Sequence, residues 1–261
     1  MTSGKQARRQ RQAQAVRPPV RSTGGRQASP KVLLAAAAGL VVIVAAIALA
    51  FVFTGGSSSP SVTATTKLPD AAVVTRLFKG IPQSGNVLGS SKASVTMIEY
   101  IDLQCSACRT FETEIMPSVI PKYVRTGKVK VVARPIVAIG PDSERGRRAM
   151  EAAGLQNLAF NFAQLLYFNQ GAENGSWLND AMVNAAASSI PGLNVSALQK
   201  ARDSATVLAE LKSIDAQATA DKVGGTPTIY VGKTGGAMRE VTPSLVPTVA
   251  QLSAALDSSL R

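Results

Sequence analysis

The 261-residue chain contains no histidine and only two cysteines. Without histidine, Ser-His-Asp and Cys-His catalysis are excluded in their usual forms. Most zinc and copper sites are excluded as well, because two cysteines alone rarely complete a tetrahedral site. We therefore expect neither a metal ion nor a cofactor. A framework of several disulfides is also impossible, so the folded part must depend on a hydrophobic core, for which its length is sufficient.

Acidic residues are absent from the N-terminal part of the chain. Residues 1–31 contain eight Lys or Arg and no Asp or Glu, although the whole chain has a net charge of +12. The other 230 residues hold 20 basic and 16 acidic side chains, so their net charge is only +4. This distribution argues against nucleic-acid binding by the folded part. Residues 1–31 also lack apolar periodicity, and we predict a basic, disordered cytoplasmic tail.

One long hydrophobic segment follows this tail. Residues 32–53 are 22 positions without a charge, and a helix of that length, about 33 Å, can cross a bilayer core. The basic tail predicts a cytoplasmic N-terminus and an extracytoplasmic C-terminal part. We therefore predict a signal-anchor, a single transmembrane helix in the cell membrane. A cleaved signal peptide is the alternative, since Ala48-Leu49-Ala50 resembles a cleavage site. Residues 54–67, rich in Gly, Ser and Thr, predict a flexible linker.

Residues 68–261 predict one folded domain. A helix is expected from about Cys105 toward Arg125, with a bend at Pro117. The other predicted elements are strands at 94–101 and 128–136, a helical block at 142–222, strands at 228–231 and near 238–241, and an amphipathic helix at 247–260. This order, strand–helix–strand, helical block, strand–strand–helix, indicates α/β architecture.

The two cysteines lie in the motif Cys105-Ser106-Ala107-Cys108, at the predicted start of a helix. Side chains at i and i+3 share a helix face, so the pair can close a small disulfide with little backbone movement. Unpaired N–H groups and the helix dipole favour a thiolate at the first cysteine. Such a thiolate can attack a substrate disulfide, and the second cysteine can resolve the mixed disulfide. We therefore predict Cys105 as the nucleophile and Cys108 as the resolving residue.

Other interpretations of the motif are weaker. Half of a zinc site would need further Cys or His ligands, and the chain has none. A four-residue loop constrains the unfolded chain little, which argues against a purely structural disulfide. Buried free thiols would not persist in an exported domain, because its surroundings are oxidising. Redox chemistry is therefore favoured.

Glu99 lies inside a β-prone run whose other residues are mostly apolar. A buried carboxylate is costly unless it has a function or a partner. Desolvation should raise its pKa, which suits a proton acceptor for the inner cysteine. The alternative is an ion pair with Lys130 on the neighbouring strand.

A proline in Gly224-Gly225-Thr226-Pro227-Thr228 directly precedes a predicted strand. Because proline cannot lie within a central strand, one solution is a cis-proline turn at the strand's start. Beside a thiol site, such a turn would expose the backbone of Thr226, with which an extended substrate could pair as an added strand. A plain trans turn is the alternative.

Together these features resemble the DsbA-like proteins of the thioredoxin superfamily, of the Thioredoxin_4 type. The matching segments, in chain order, are 85–89 (GNVLG), 95–108 (VTMIEYIDLQCSAC) and 225–228 (GTPT). The resemblance implies a thioredoxin fold with a DsbA-type helical insertion at about 142–222. Cys105 and Cys108 match the redox pair, and Glu99 matches the family's buried acid six residues before the nucleophile.

The same resemblance implies that Thr226 and Pro227 face the active site and contact substrate. It also implies an extracytoplasmic oxidase that introduces disulfides into exported proteins or peptides, with a DsbB- or VKOR-like quinone-linked redox partner. The chain departs from DsbA at Ser106-Ala107, where DsbA carries Pro-His. Without that His we expect Cys105 to be less acidic and the disulfide less oxidising than in strong oxidases, and a thiolate pKa near about 3.5 would refute this.

Three alternative functions stay open from the sequence. The protein could be a disulfide reductase or isomerase, since the dipeptide Ser106-Ala107 sets the redox potential. It could be a non-catalytic, peptide-binding thioredoxin-like module, whose function would survive replacement of Cys105 and Cys108 by Ser. It could also be a membrane scaffold, whose function would be lost on deletion of residues 1–31.

Overall fold

A six-stranded mixed sheet lies at the centre of the domain in the computed structural model, which describes residues 67–242 and 246–261. Its strands are β1 (Gln83–Ser84), β2 (Val87–Leu88), β3 (Val95–Ile101), β4 (Val129–Pro135), β5 (Thr228–Lys233) and β6 (Arg239–Glu240). Their order in space is β1-β2-β4-β3-β5-β6. Strand β3 runs parallel to β4 and antiparallel to β5. Because β3 is central, its residues are buried at every position except Ile98, which is half-buried.

A long helical segment, α2, follows β3. It comprises Ser106–Thr110, Phe111–Ile115, Met116–Val119 and Ile120–Val124, and the second and fourth parts are π-helical. Pro117 and Pro121 lie close to these parts. Because proline has no N–H, it cannot continue the α-helical hydrogen bonds, and a wider turn accommodates it. The helix predicted from about Cys105 toward Arg125 is confirmed, and its hydrogen-bonding pattern changes around Pro117.

The block at 142–222 is helical, as predicted, and contains no strand. The remaining helices are α1 (Ala71–Phe78), α3 (Pro141–Gly154), α4 (Ala159–Phe168), α5 (Asp180–Ser189), α6 (Val195–Ala201), α7 (Ala205–Ala220) and α8 (Val249–Leu260). Helices α3 to α7 form the helical insertion. Helix α3 packs against α4, α6 and α7, and α4 packs against the first half of α2. The insertion therefore lies directly beside the start of α2.

Arginine–carboxylate pairs join the helices of the insertion. Arg147 binds Glu144 in its own helix and both oxygens of Asp215 on α7, at 2.6 and 3.2 Å. Arg148 binds Glu144 at 2.6 Å and Asp203 at 2.8 Å. These bonds connect α3 to α7 and to the segment between α6 and α7.

Helix α1 and the β1–β2 hairpin were not predicted. Gly85 and Asn86 form the hairpin's two-residue turn, and Gly85 has the positive φ, +55°, that glycine adopts without strain. Among residues 67–242 and 246–261, no helix is long and apolar enough to span a bilayer. The predicted tail (1–31), the predicted transmembrane helix (32–53) and the linker up to residue 66 lie outside the described residues.

Candidate active site

The segment between β3 and α2 is held by a buried carboxylate. Asp102 accepts hydrogen bonds from the backbone N–H groups of Gln104 at 2.8 Å, Ala138 at 2.7 Å and Ile139 at 2.9 Å. Two loops that follow neighbouring parallel strands are thereby fastened together. Cys105 comes next, in extended conformation, as the residue that caps the N-terminus of α2.

The two thiols lie in contrasting environments. Both cysteines are unpaired and buried, with exposed fractions of 5% for Cys105 and 0% for Cys108. A hydrogen bond from Cys108, another with the side chain of Thr226 and the backbone N–H groups at the start of α2 outweigh burial and lower the pKa of Cys105 to about 6. Burial and the neighbouring Cys105 sulfur raise the pKa of Cys108 well above its usual value. The outer sulfur is therefore the one that favours the thiolate.

The peptide bond between Thr226 and Pro227 is cis, as the sequence suggested. Strand β5 pairs with β3 so that Thr228 faces Tyr100, and the beginning of β5 therefore lies beside the end of β3. The thiol of Cys105 donates a hydrogen bond to the carbonyl oxygen of Thr226, with 3.3 Å between sulfur and oxygen. Thr226 and Pro227 are half-buried. The structure therefore places the proline turn against Cys105, the predicted nucleophile.

Glu99 is buried, 1% exposed, on the face of the sheet that α2 covers. Its side chain is hydrogen-bonded to that of Glu112, and its second oxygen has no partner. Desolvation raises the pKa of Glu99 to about 8. The alternative ion pair with Lys130 is wrong: Lys130 pairs in register with Thr96 and thus lies on the opposite face of the sheet.

Glu112 is a buried acid that the sequence reasoning missed. Burial and the neighbouring Glu99 carboxyl raise the pKa of Glu112 well above its usual value. Its backbone carbonyl accepts a 2.8 Å hydrogen bond from the buried amide of Gln164 on α4. A signal was available, because Glu112 follows Cys108 by four residues and so lies on the same helix face.

The dipeptide between the cysteines lies at the surface. Ser106 is exposed and Ala107 half-buried. The N–H of Ser106 donates a 2.7 Å hydrogen bond to the carboxylate of Glu173, in the loop between α4 and α5. Glu173 was not singled out from the sequence, since nothing in a polar loop indicates which helix it touches.

An aromatic and charged cluster fastens the segment that leads into the proline turn. The hydroxyl of Tyr100 donates to the Asp221 carboxylate at 2.6 Å and accepts from Arg134 at 2.5 Å. The hydroxyl of Tyr230 donates to the Asp221 backbone carbonyl at 3.0 Å. The end of the insertion is thereby tied to three strands of the sheet. Within the described ranges, no group of three or more His, Cys, Asp or Glu could hold a metal ion.

Comparisons with known proteins agree with this geometry. The chain matches the Thioredoxin_4 family model, a thioredoxin, over residues 83–244. It is 29% identical over 147 residues to "Probable disulfide bond formation protein D" of Bacillus cereus, covering 55% of this chain and 68% of that protein. To disulfide bond formation protein D of Bacillus subtilis it is 24% identical over 156 residues, covering 59% and 68%.

Solved structures show the same fold. BdbD from Bacillus subtilis, oxidised, has a TM-score of 0.60 at 20% identity, covering 69% of this chain and 96% of that one. Alpha-DsbA1 from Wolbachia pipientis has a TM-score of 0.57 at 18% identity, covering 67% and 90%. Family match, relatives and fold agree, and the chain belongs to the thioredoxin superfamily as a DsbA-like thiol–disulfide oxidoreductase.

Proposed function

We propose that the protein is an extracytoplasmic oxidase that introduces disulfides into exported proteins through Cys105 and Cys108. The contrast between the two thiols carries this proposal: the pKa of Cys105 is lowered to about 6, whereas that of Cys108 is raised. A sulfur that is stable as a thiolate is a good leaving group. A disulfide to Cys105 is therefore easily broken, which favours transfer of the disulfide to a substrate.

The exchange proceeds in two steps. A substrate thiolate attacks the Cys105 sulfur of the Cys105–Cys108 disulfide, and Cys108 leaves and takes up a proton. A second substrate thiolate then attacks the substrate sulfur of the mixed disulfide and releases Cys105 as a thiolate. The substrate gains one disulfide and gives up two electrons, and the protein's disulfide becomes a dithiol. A quinone-linked membrane partner of the DsbB or VKOR type would re-oxidise the pair.

The buried acid pair has a role in this scheme as the proton source for Cys108. Burial raises the pKa of Glu99 to about 8, so this carboxyl holds a proton near neutral pH, and burial raises the pKa of Glu112 as well. Glu112 lies one helical turn after Cys108. A protonated acid beside a leaving thiolate can neutralise it inside the core, where an isolated charge is costly.

The proline turn is the proposed substrate contact. Cys105 already hydrogen-bonds to the Thr226 carbonyl, so this backbone lies at bonding distance from the reacting sulfur. An extended substrate segment can pair with Thr226 as an added strand beside Pro227. The turn would then set the substrate cysteine against Cys105.

The redox strength of the pair follows from Ser106-Ala107. Ala107 has no donor and the Ser106 side chain is hydrogen-bonded to Glu173, so neither supplies the positive charge that a histidine would. A pKa of about 6 for Cys105 supports a moderate oxidant. Equilibration of the purified full chain with glutathione should give a potential of about −120 to −180 mV, the range of oxidases and isomerases. A value of about −270 mV or below would instead support a reductase.

Trapping separates an enzyme from a binding module. Cys108→Ser should accumulate mixed disulfides with exported proteins through Cys105, because the resolving thiol is missing. The matched variant Cys105→Ser should trap none. If both variants keep full function and neither forms a mixed disulfide, the chain is a peptide-binding module and the oxidase proposal fails.

The location is proposed from the sequence of the N-terminal part. The uncharged run 32–53 supports a membrane anchor, and the basic residues 1–31 support a cytoplasmic N-terminus. Residues 68–261 would then form the extracytoplasmic domain, joined by the linker 54–67. In spheroplasts of a bacterium producing the full chain, a membrane-impermeant maleimide should label reduced Cys105. Labelling only after lysis would contradict this topology.

A further inference from the structure

The loop between α4 and α5 places a carboxylate on the N-terminus of the helix that follows Cys105. Glu173 accepts the Ser106 N–H at 2.7 Å and is also hydrogen-bonded to the Ser106 side chain. The backbone hydrogen bond is the largest cause of a lowered pKa for Glu173, so this carboxylate is ionised at neutral pH. The next N–H groups of the same turn, those of Ala107 and Cys108, donate hydrogen bonds to the sulfur of Cys105.

Two anchors hold Glu173 in this position. On one side, the Gln170 amide donates hydrogen bonds to the backbone carbonyls of Leu103 at 3.0 Å and Cys105 at 3.1 Å. On the other side, the Asn174 N–H donates to the buried Gln104 side chain at 3.3 Å. The residues flanking Glu173 are thus bonded to the three residues before the helix. The carboxylate is a built part of the site, although it is exposed to solvent.

We infer that Glu173 is a positioning residue that restrains the oxidising strength of the Cys105–Cys108 pair. The helix N-terminus stabilises negative charge, and two groups, the Cys105 thiolate and the Glu173 carboxylate, use it within one turn. Like charges at close range disfavour each other's ionised form. The Glu173 charge therefore destabilises the Cys105 thiolate, and with it the reduced state of the pair.

This inference rests on the proposed role of Cys105 as the reactive thiol. Glu173 is then a second feature, besides the absence of a histidine between the cysteines, that makes the protein a milder oxidant. Helical insertion and redox motif are thereby coupled, because an insertion loop sets the charge at the redox centre. The exposed carboxylate would also favour substrates with a cationic side chain near the reacting cysteine.

The test compares the full chain with Glu173→Gln, which keeps a hydrogen-bond acceptor for Ser106 and removes only the charge. Glu173→Gln should lower the pH at which the Cys105 thiolate forms, which is followed by the ultraviolet absorbance of the thiolate. The equilibrium constant for reduction of the disulfide by glutathione should rise about two- to fivefold, the effect of one charge at a helix N-terminus. Raising the salt to about 1 M should shrink the difference, because salt screens exposed charges.

Controls make the outcome decisive. Glu114→Gln removes an exposed carboxylate farther along α2 and should change neither quantity. If Glu173→Gln leaves the thiolate titration and the glutathione equilibrium unchanged, the inference is overturned. The same holds if only Glu173→Ala shifts these two quantities, because the hydrogen bond and not the charge would then be responsible. If the unmodified chain itself shows no accessible thiolate and no exchange with glutathione, the proposed function fails, and with it this inference.

Discussion

In the region formed by the sheet and α2, two carboxyl groups lie buried against each other, whereas in the helical insertion carboxylates lie among arginines. The side chains of Glu99 and Glu112 are buried and hydrogen-bonded to each other, and burial raises the pKa of both. Burial alone would also raise the pKa of Glu144, but hydrogen bonds from Arg148 and Arg147 outweigh it and the pKa is lowered. Glu99 thus keeps its proton at neutral pH, whereas Glu144 loses it.

The difference indicates two uses of acidic residues. A carboxyl pair without a cation costs less to bury when it is protonated than it would as two charges. The arginine pairs of the insertion stay partly in water and connect helices, so they contribute packing and orientation and no proton chemistry. The contributions of Glu99 and Glu144 to stability should therefore depend on pH in opposite directions.

The largest expected effect is the alkaline loss of stability through Glu99. Its folded pKa, about 8, lies above the unfolded value of 4.5, so the folded state binds more protons between these pH values and stability falls as pH rises. We expect Glu99 to contribute a loss on the order of 3 kcal/mol between pH 5 and 9, and Glu99→Gln should make the profile less steep by that contribution. The raised pKa values of Glu112 and Glu151 add to the slope of the wild type. Urea unfolding of the disulfide form, in which the cysteines do not titrate, measures it.

Glu114→Gln is the matched control, since this glutamate lies exposed on the same helix as Glu112. It should retain the wild-type slope of stability against pH. Parallel pH profiles for the wild type and Glu99→Gln would show that Glu99 is not a buried, protonated acid. The proposal that Glu99 is a proton source would then be refuted.

A smaller effect is expected from the arginines of the insertion. Arg147 is 9% exposed and bridges Glu144 and Asp215, so Arg147→Met should lower the free energy of unfolding by about 1 to 2 kcal/mol at pH 7. Arg148→Met, at a more exposed site, should cost about 0.5 kcal/mol or less. Equal costs at these two sites would contradict the importance of burial.

The pH dependence of the arginine variants runs opposite to that of Glu99. The folded pKa of Glu144 is lowered, so its stabilisation is present above the unfolded value of 4.5 and is lost as pH falls through the folded value. The difference between Arg147→Met and the wild type should therefore shrink in acid. Unfolding curves at pH 7 and pH 3 would show it, and a difference that grows in acid would refute this pairing.

A further modest effect concerns the contact between the two regions. Tyr100→Phe removes the hydroxyl between Asp221 and Arg134 and should lower stability by about 1 kcal/mol, because the 3.2 Å Arg134–Asp221 pair remains. Tyr230→Phe removes a more exposed bond to the same segment and should cost less. Thermal unfolding of both variants shows which one loses more stability. A larger loss in Tyr230→Phe would mean that the bond to the Asp221 backbone carbonyl contributes more than the bond to its carboxylate.

Elements with a periodic apolar pattern, and turns marked by glycine or proline, could be predicted from the sequence. The apolar β-prone run that becomes β3, the helical spacing of the insertion and the helix that ends the chain all carry local signals. The β1–β2 hairpin was missed because two-residue strands show no alternation, although Gly85-Asn86 is a typical hairpin turn. Helix α1, of only eight residues, was not predicted either.

Contacts between distant segments could not be predicted in the same way. That Glu99 faces the sheet side covered by α2 follows from alternation, but its bond to Glu112 depends on how α2 packs. The approach of Glu173 to Ser106 depends on a loop between two insertion helices. No local pattern encodes either contact, because both arise from packing of elements far apart in the chain.

By itself the sequence determined the position of Cys105 and Cys108 at a helix start, the buried strand that carries Glu99, the proline turn before β5 and the helical character of the insertion. These follow from residue spacing, side-chain type and backbone chemistry, which act locally. Tertiary structure alone decided that the Thr226 carbonyl meets Cys105, that Glu112 completes an acid pair and that Glu173 reaches the helix N-terminus. Strand pairing and helix packing bring those groups together, and with them the electrostatics that separate one thiol from the other.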